Sequence, residues 1–87
     1  MAKVFLPYEL RRYAGGKGEL NVAGATLGEM VKNLEEVCPG ISEHLLQDGR
    51  LKPGLAAVVG HAATRQGLLQ PLEPDTEVHF VPAISGG

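Results

Sequence analysis

The spacing of hydrophobic and polar positions changes several times along the chain, and each change predicts an element. Residues 3–6 (KVFL) are rich in strand formers and stop at Pro7, which reads as a first strand. Gly15, Gly16 and Gly18 mark a turn. Leu20 and Val22 then alternate with Asn21 and Ala23, so a second strand is expected to pair with the first as a hairpin. Next the period lengthens. Leu27, Met30, Val31, Leu34, Val37 and Cys38 fall on one face of a helix. Thr26 and Glu29 supply the T-x-x-E capping pattern at its start, and Pro39-Gly40 ends it. Residues 42–46 predict a short second helical turn capped by Ser42, followed by a turn at Asp48-Gly49.

Residues 56–59 read as a third strand and residues 64–65 as a short edge strand. Leu68, Leu69 and Leu72 belong to a looping stretch, with turns at Pro71, Pro74 and Asp75. Residues 77–81 form the last predicted strand, with Val78 and Phe80 on one face and His79 and Val81 on the other. Pro82 removes a backbone donor and discourages further pairing. Residues 1–82 are therefore expected to be the folded domain, and residues 83–87 a mobile tail. A helix between two strand pairs must cover one sheet face to bury its apolar stripe, which makes a two-layer α+β domain. The crossover after the second strand allows the first and last strands to lie side by side.

With 87 residues, the chain has room for one modest core and little room for a deep internal active site. The formal net charge of -2 argues against nucleic-acid binding, which calls for a basic excess. No apolar run approaches the roughly 20 residues of a membrane span. The start of the chain lacks the long apolar stretch of a signal peptide, so the cytoplasm is the expected compartment and no membrane partner is expected.

Candidate chemistry is sparse. Cys38 is the lone cysteine and reads as a partly buried thiol, with no local base to activate it. His44 is expected on a solvated turn and His61 in a loop, and neither shows metal spacing with His79, Cys38 or a carboxylate; no metal site is expected. The stretch 15–18 (GGKG) lacks the full phosphate-loop pattern and reads as a hairpin turn. Arg11-Arg12 and Glu35-Glu36 read as solvated charge pairs. The Gly86-Gly87 dipeptide is different. A terminal carboxylate is a poor electrophile until it is activated, and only a strand without side chains can thread a narrow channel that excludes water. On that reading the chain supplies reach and a docking surface, and a partner supplies the catalysis.

These residues resemble the MoaD/ThiS family of ubiquitin-like sulfur carriers. The resemblance runs through the opening VFLP strand, Gly15-Gly16, ATLGE at the helix start, Leu34-Glu35 and Pro39-Gly40-Ile41. It continues through Val58-Val59 and residues 72–81 to the ending VPAISGG, its most specific part. The resemblance implies a β-grasp fold: a mixed four- to five-stranded sheet with one main helix on one face. It implies a carrier or co-substrate rather than an enzyme, one able to serve as the small non-catalytic subunit of a molybdopterin-synthase-type complex. Gly87 would be adenylated by a ubiquitin-activating-like adenylyltransferase that uses ATP, and a sulfur donor protein would convert it to a thiocarboxylate. A sulfur-accepting synthase for molybdopterin, cysteine or thiolated nucleotides would consume it. No cofactor bound to the chain itself is implied. The alternative is a ubiquitin-like modifier joined to lysines through Gly87.

Two departures concern the subfamily. Members often carry Asn after the third-strand valine, where this chain has Gly60, and Asp-Gly-Asp before the last strand, where it has Pro74-Asp75-Thr76. The stretch 6–11 and the long region around residues 49–55 look closer to carriers of the cysteine-synthesis type. Counted back from Gly-Gly, His79 and Val81 fall where ubiquitin has a histidine and a valine on its recognition face. A partner would then dock on His79 and Val81, extended by Val58 or Val59, while Pro82, Ala83, Ile84, Ser85 and Gly86 lead Gly87 into its active site.

Overall fold

The structure is a computed structural model, and it describes residues 1–82. Ala2–Phe5 (β1) leads into a 3₁₀ segment at Tyr8–Ala14, then Glu19–Val22 (β2) and the helix Leu27–Val37 (α1). Ser42–Leu45 (α2), Leu46–Gln47 (β3), Arg50–Leu51 (β4), Leu55–Val59 (β5) and Ala62–Ala63 (β6) follow. A 3₁₀ turn at Gly67–Leu69 precedes the last strand, Glu77–Pro82 (β7). Five strands make one mixed sheet in the order β2-β1-β7-β5-β6, with β1 and β7 parallel at its centre. This is the β-grasp arrangement with the first and last strands adjacent.

The sheet has one dry face. Ala2 and Val4 of β1, Val22 of β2, Ala57 of β5, and Val78 and Phe80 of β7 are buried there. The α1 stripe of Leu27, Met30, Val31 and Leu34 closes over them, with Ile41 and Leu45 completing the core. Val37 departs from the expected stripe and is 65% exposed. At 100° per residue it lies roughly 70° from the stripe's centre, in the final turn of the helix. Cys38 is fully buried instead of partly so.

The caps differ from expectation in detail. Thr26 caps α1, its hydroxyl accepting from the Glu29 N–H at 3.2 Å. Glu29 reaches back to the Ala25 N–H at 3.2 Å, one residue before the cap. Ser42 does not cap α2; it is the first helical residue, after Ile41. The carboxylate of Glu35 does that work, accepting from the Gly40 N–H at 2.8 Å and the Ser42 N–H at 2.9 Å. These bonds hold its carboxyl below the usual range, the Gly40 N–H most, then the Ser42 hydroxyl and N–H. Glu35 is therefore not a bare solvated charge.

Three further features were not anticipated. No element was expected at Tyr8–Ala14 or in the β3–β4 hairpin, whose turn residues Asp48 (φ 54) and Gly49 (φ 76) take the left-handed conformations a two-residue hairpin needs. The edge strand lies at Ala62–Ala63, ahead of the expected 64–65, because a two-residue turn at Gly60-His61 returns the chain immediately. Thr64 then turns away, its hydroxyl donating to Gln70 Oε1 at 2.7 Å and accepting from the Gln66 N–H at 3.1 Å.

Both departures from the family pattern resolve on the backbone. Gly60 has φ 66 and Asp75 has φ 63. Asn, Gly and Asp are the residues that tolerate this left-handed region, so Gly60 and Asp75 suit the backbone on which they stand.

Candidate functional site

Among the described residues, no helix covers the second face of the sheet. Strand alternation sends every other side chain there, and register decides which of them meet. Parallel pairing sets Phe5 of β1 beside His79 of β7. Antiparallel pairing sets Val58 of β5 opposite His79, and Ala56 opposite Val81. The Phe5 and His79 rings stack with centroids 4.2 Å apart and planes 2° from parallel. His79 Nε2 also lies 3.4 Å from the Glu77 carboxylate, and Lys3 Nζ lies 3.7 Å from Glu19 on the same face. An apolar centre of Phe5, Val58 and Val81 therefore has charged groups towards the start of β7.

Towards the end of β7 the face opens into a shallow cleft of about 360 Å³, lined by Phe5, Pro7, Tyr8, Arg11, His79 and Pro82. Tyr8 is 81% exposed at its rim. On the other side of Pro82, a second cleft is bounded by Pro7, Leu10, His44 and Leu55. The backbone thus reaches residue 82 between two depressions, one aromatic and one beside His44.

Of the residues singled out from sequence, His79, Val81 and Val58 come together on this face, and Pro82 closes the strand, paired with Leu55. Val59 does not join them; it pairs with Val78 and packs on the core side. Ala83, Ile84, Ser85, Gly86 and Gly87 lie outside the described residues. Phe5 and Tyr8 are the members that sequence reading missed. Phe5 carried a signal in its parity, since it alternates with the core residue Val4. Nothing local showed that its neighbour would be His79.

His44 is half-buried in α2, not on a solvated turn. Its Nε2 is 2.7 Å from the Tyr13 hydroxyl, which ties the 3₁₀ segment to α2. His61 is exposed in the β5–β6 turn. Burial, and then the nearby Glu35 charge, raise the Cys38 thiol above the ordinary thiol range, which suits a packed side chain and not a nucleophile. Among the described residues, no group of three or more His, Cys, Asp or Glu is placed to hold a metal ion. No helix among them is long and apolar enough to cross a membrane. The arrangement of Phe5, Val58, His79 and Val81 offers a surface to bind against.

The profile of the ThiS family matches residues 4–87. The chain is 32% identical to the sulfur carrier protein CysO of Mycobacterium tuberculosis over 97% of this chain and 96% of that protein. It superimposes on a chain from the crystal structure of the Amycolatopsis orientalis BexX/CysO complex with a TM-score of 0.91, at 26% identity, over the whole of both chains. It shares its fold with small archaeal modifier protein 1 of Methanosarcina acetivorans, at a TM-score of 0.80 and 24% identity, covering 99% of this chain and 95% of that one.

Proposed function

This chain belongs to the ThiS family, and we propose that it is a sulfur carrier whose Gly87 carboxylate is adenylated and converted to a thiocarboxylate for use in biosynthesis. The observation that carries this reading is the end-to-end likeness to CysO, together with a family match that runs through Gly86 and Gly87. The chain acts as a co-substrate. A ubiquitin-activating-like enzyme binds ATP and builds the acyl adenylate, a donor protein delivers sulfur, and a synthase accepts it. The likeness to CysO favours the cysteine-forming type of acceptor over a molybdopterin-synthase complex. Because the activating step uses ATP, the cytoplasm is the working compartment proposed here.

The face built by Phe5, Val58, His79 and Val81 is the docking surface in this proposal. Phe5, Val58 and Val81 give contact area without charge, as the centre of a protein interface requires, and His79 adds a flat ring stacked on Phe5. Residues 83–86 then carry Gly87 from the end of β7 into the partner's active site. The likeness to an archaeal modifier at 24% identity speaks for the fold alone, so conjugation to lysines is the second reading and not the first.

The test is to incubate the full chain with its activating enzyme, ATP and a sulfur donor, and to follow intact mass. The expected result is the mass increase of one oxygen exchanged for one sulfur, confined to the C-terminal peptide and lost when Gly87 is removed. An unchanged mass under conditions where the enzyme is active on another carrier would overturn the proposal. Higher-mass conjugates that require Gly87 would move the chain to the modifier reading.

A further inference from the structure

Beside the aromatic cleft, one exposed cation rests against its neighbours. Arg11 lies in the 3₁₀ segment, and three neighbours touch its guanidinium. Its Nε donates to the Leu6 carbonyl at 3.4 Å. Its Cζ lies 5.8 Å from the centroid of the Tyr8 ring. It packs across Gly18, where an added Cβ would stand 3.0 Å from that Cζ. Among the described residues, Arg11 takes part in no ion pair, although Glu9 lines the same cleft. Among the described residues its terminal nitrogens donate no hydrogen bond, and a guanidinium already resting on its neighbours loses less conformational entropy when a carboxylate arrives, its planar fork suiting that geometry.

We propose that Arg11 is a preset anchor that selects a partner protein presenting a carboxylate next to an apolar side chain. The apolar side chain enters the cleft between Tyr8, His79 and Pro82, and the carboxylate meets the outward edge of Arg11. Glu9, Arg12 and Gly16 border the adjoining surface with Tyr8, so two guanidinium groups stand there against one carboxylate, although the chain is acidic overall. This inference rests on the sulfur-carrier reading and deepens it, naming the chemistry by which the activating enzyme recognises this chain.

The test measures carrier-dependent ATP–pyrophosphate exchange by the activating enzyme, with the full chain and its variants as substrate. Arg11→Glu is expected to raise the KM for carrier about tenfold or more and to leave kcat within about twofold, the pattern of a lost docking contact. Lys32→Glu makes the same charge change on an exposed position of α1 and is expected to leave KM within about twofold of wild type. Gly18→Ala displaces the guanidinium without removing it, at a position with ordinary backbone, and is expected to raise KM by a smaller factor at unchanged circular dichroism. Raising salt should shrink the Arg11→Glu effect. Equal KM values for the Arg11→Glu and Lys32→Glu variants would overturn the anchor while leaving the carrier function standing. Absence of exchange with the wild-type chain would instead overturn the carrier reading, and the anchor with it.

Discussion

The Phe5 and His79 rings lie flat against each other, 4.2 Å between centroids, although 73 positions (79 − 5 − 1) separate them in the chain. The parallel pairing of the first and last strands brings them into register, and the solvent-facing side of the sheet keeps them accessible. A double-mutant cycle with Phe5→Ala and His79→Ala should give a coupling of about 0.5–1.5 kcal/mol in chemical denaturation, the usual worth of an aromatic pair. Strict additivity would show that the rings merely lie close. Each single change should also raise the KM for carrier in the activation reaction while the circular dichroism of the folded chain stays unchanged, because neither ring is part of the core.

Core and terminus should separate cleanly. Phe80 is 2% exposed under α1, and Phe80→Ala should cost about 3–5 kcal/mol in urea unfolding. Removal of Gly87 should leave the urea midpoint unchanged, since the buried core closes between Ala2 and Phe80, and should abolish thiocarboxylate formation by mass spectrometry. Equal loss of stability from both changes would refute the separation.

Glu35 links α1 to α2 through its carboxylate, and its pKa in the folded state is below the ordinary glutamate value. A lowered folded pKa contributes stability that is fully present above the unfolded pKa and is lost as pH falls through the folded one. Glu35→Gln should therefore lower Tm at neutral pH, and the gap from wild type should close as pH drops below the usual carboxylate range. A gap that stays constant between neutral and acid pH would show that the charge contributes nothing.

The left-handed backbone at Gly60 restricts what can stand there. Gly60→Asn should be tolerated, whereas Gly60→Val should lose about 1–2 kcal/mol or more by thermal melts, because a β-branched side chain meets the following carbonyl in this region. Similar melting temperatures for the two variants would mean that the β5–β6 turn relaxes to an ordinary conformation.

Much of the fold follows from local pattern. The period-2 alternation at β1, β2 and β7 and the period-3.6 stripe of α1 place those elements with only small shifts at their ends, because each reflects one wet and one dry side. Short elements were harder to read. The four residues of α2 and the two-residue strands β3, β4 and β6 carry too few positions to show a period, and packing decides them.

The Gly-Gly ending, the two-layer α+β plan, and the parity that separates His79 and Val81 from Val78 and Phe80 are all legible along the chain. These depend on residue type and on neighbours a few positions away. Folding is what stacks Phe5 on His79, brings Val58 and not Val59 beside them, turns Glu35 onto the start of α2, and lays Arg11 between Tyr8 and Gly18. Each of these is a register or contact between segments far apart in the chain, and a slip of one residue would turn the same side chains to the other face.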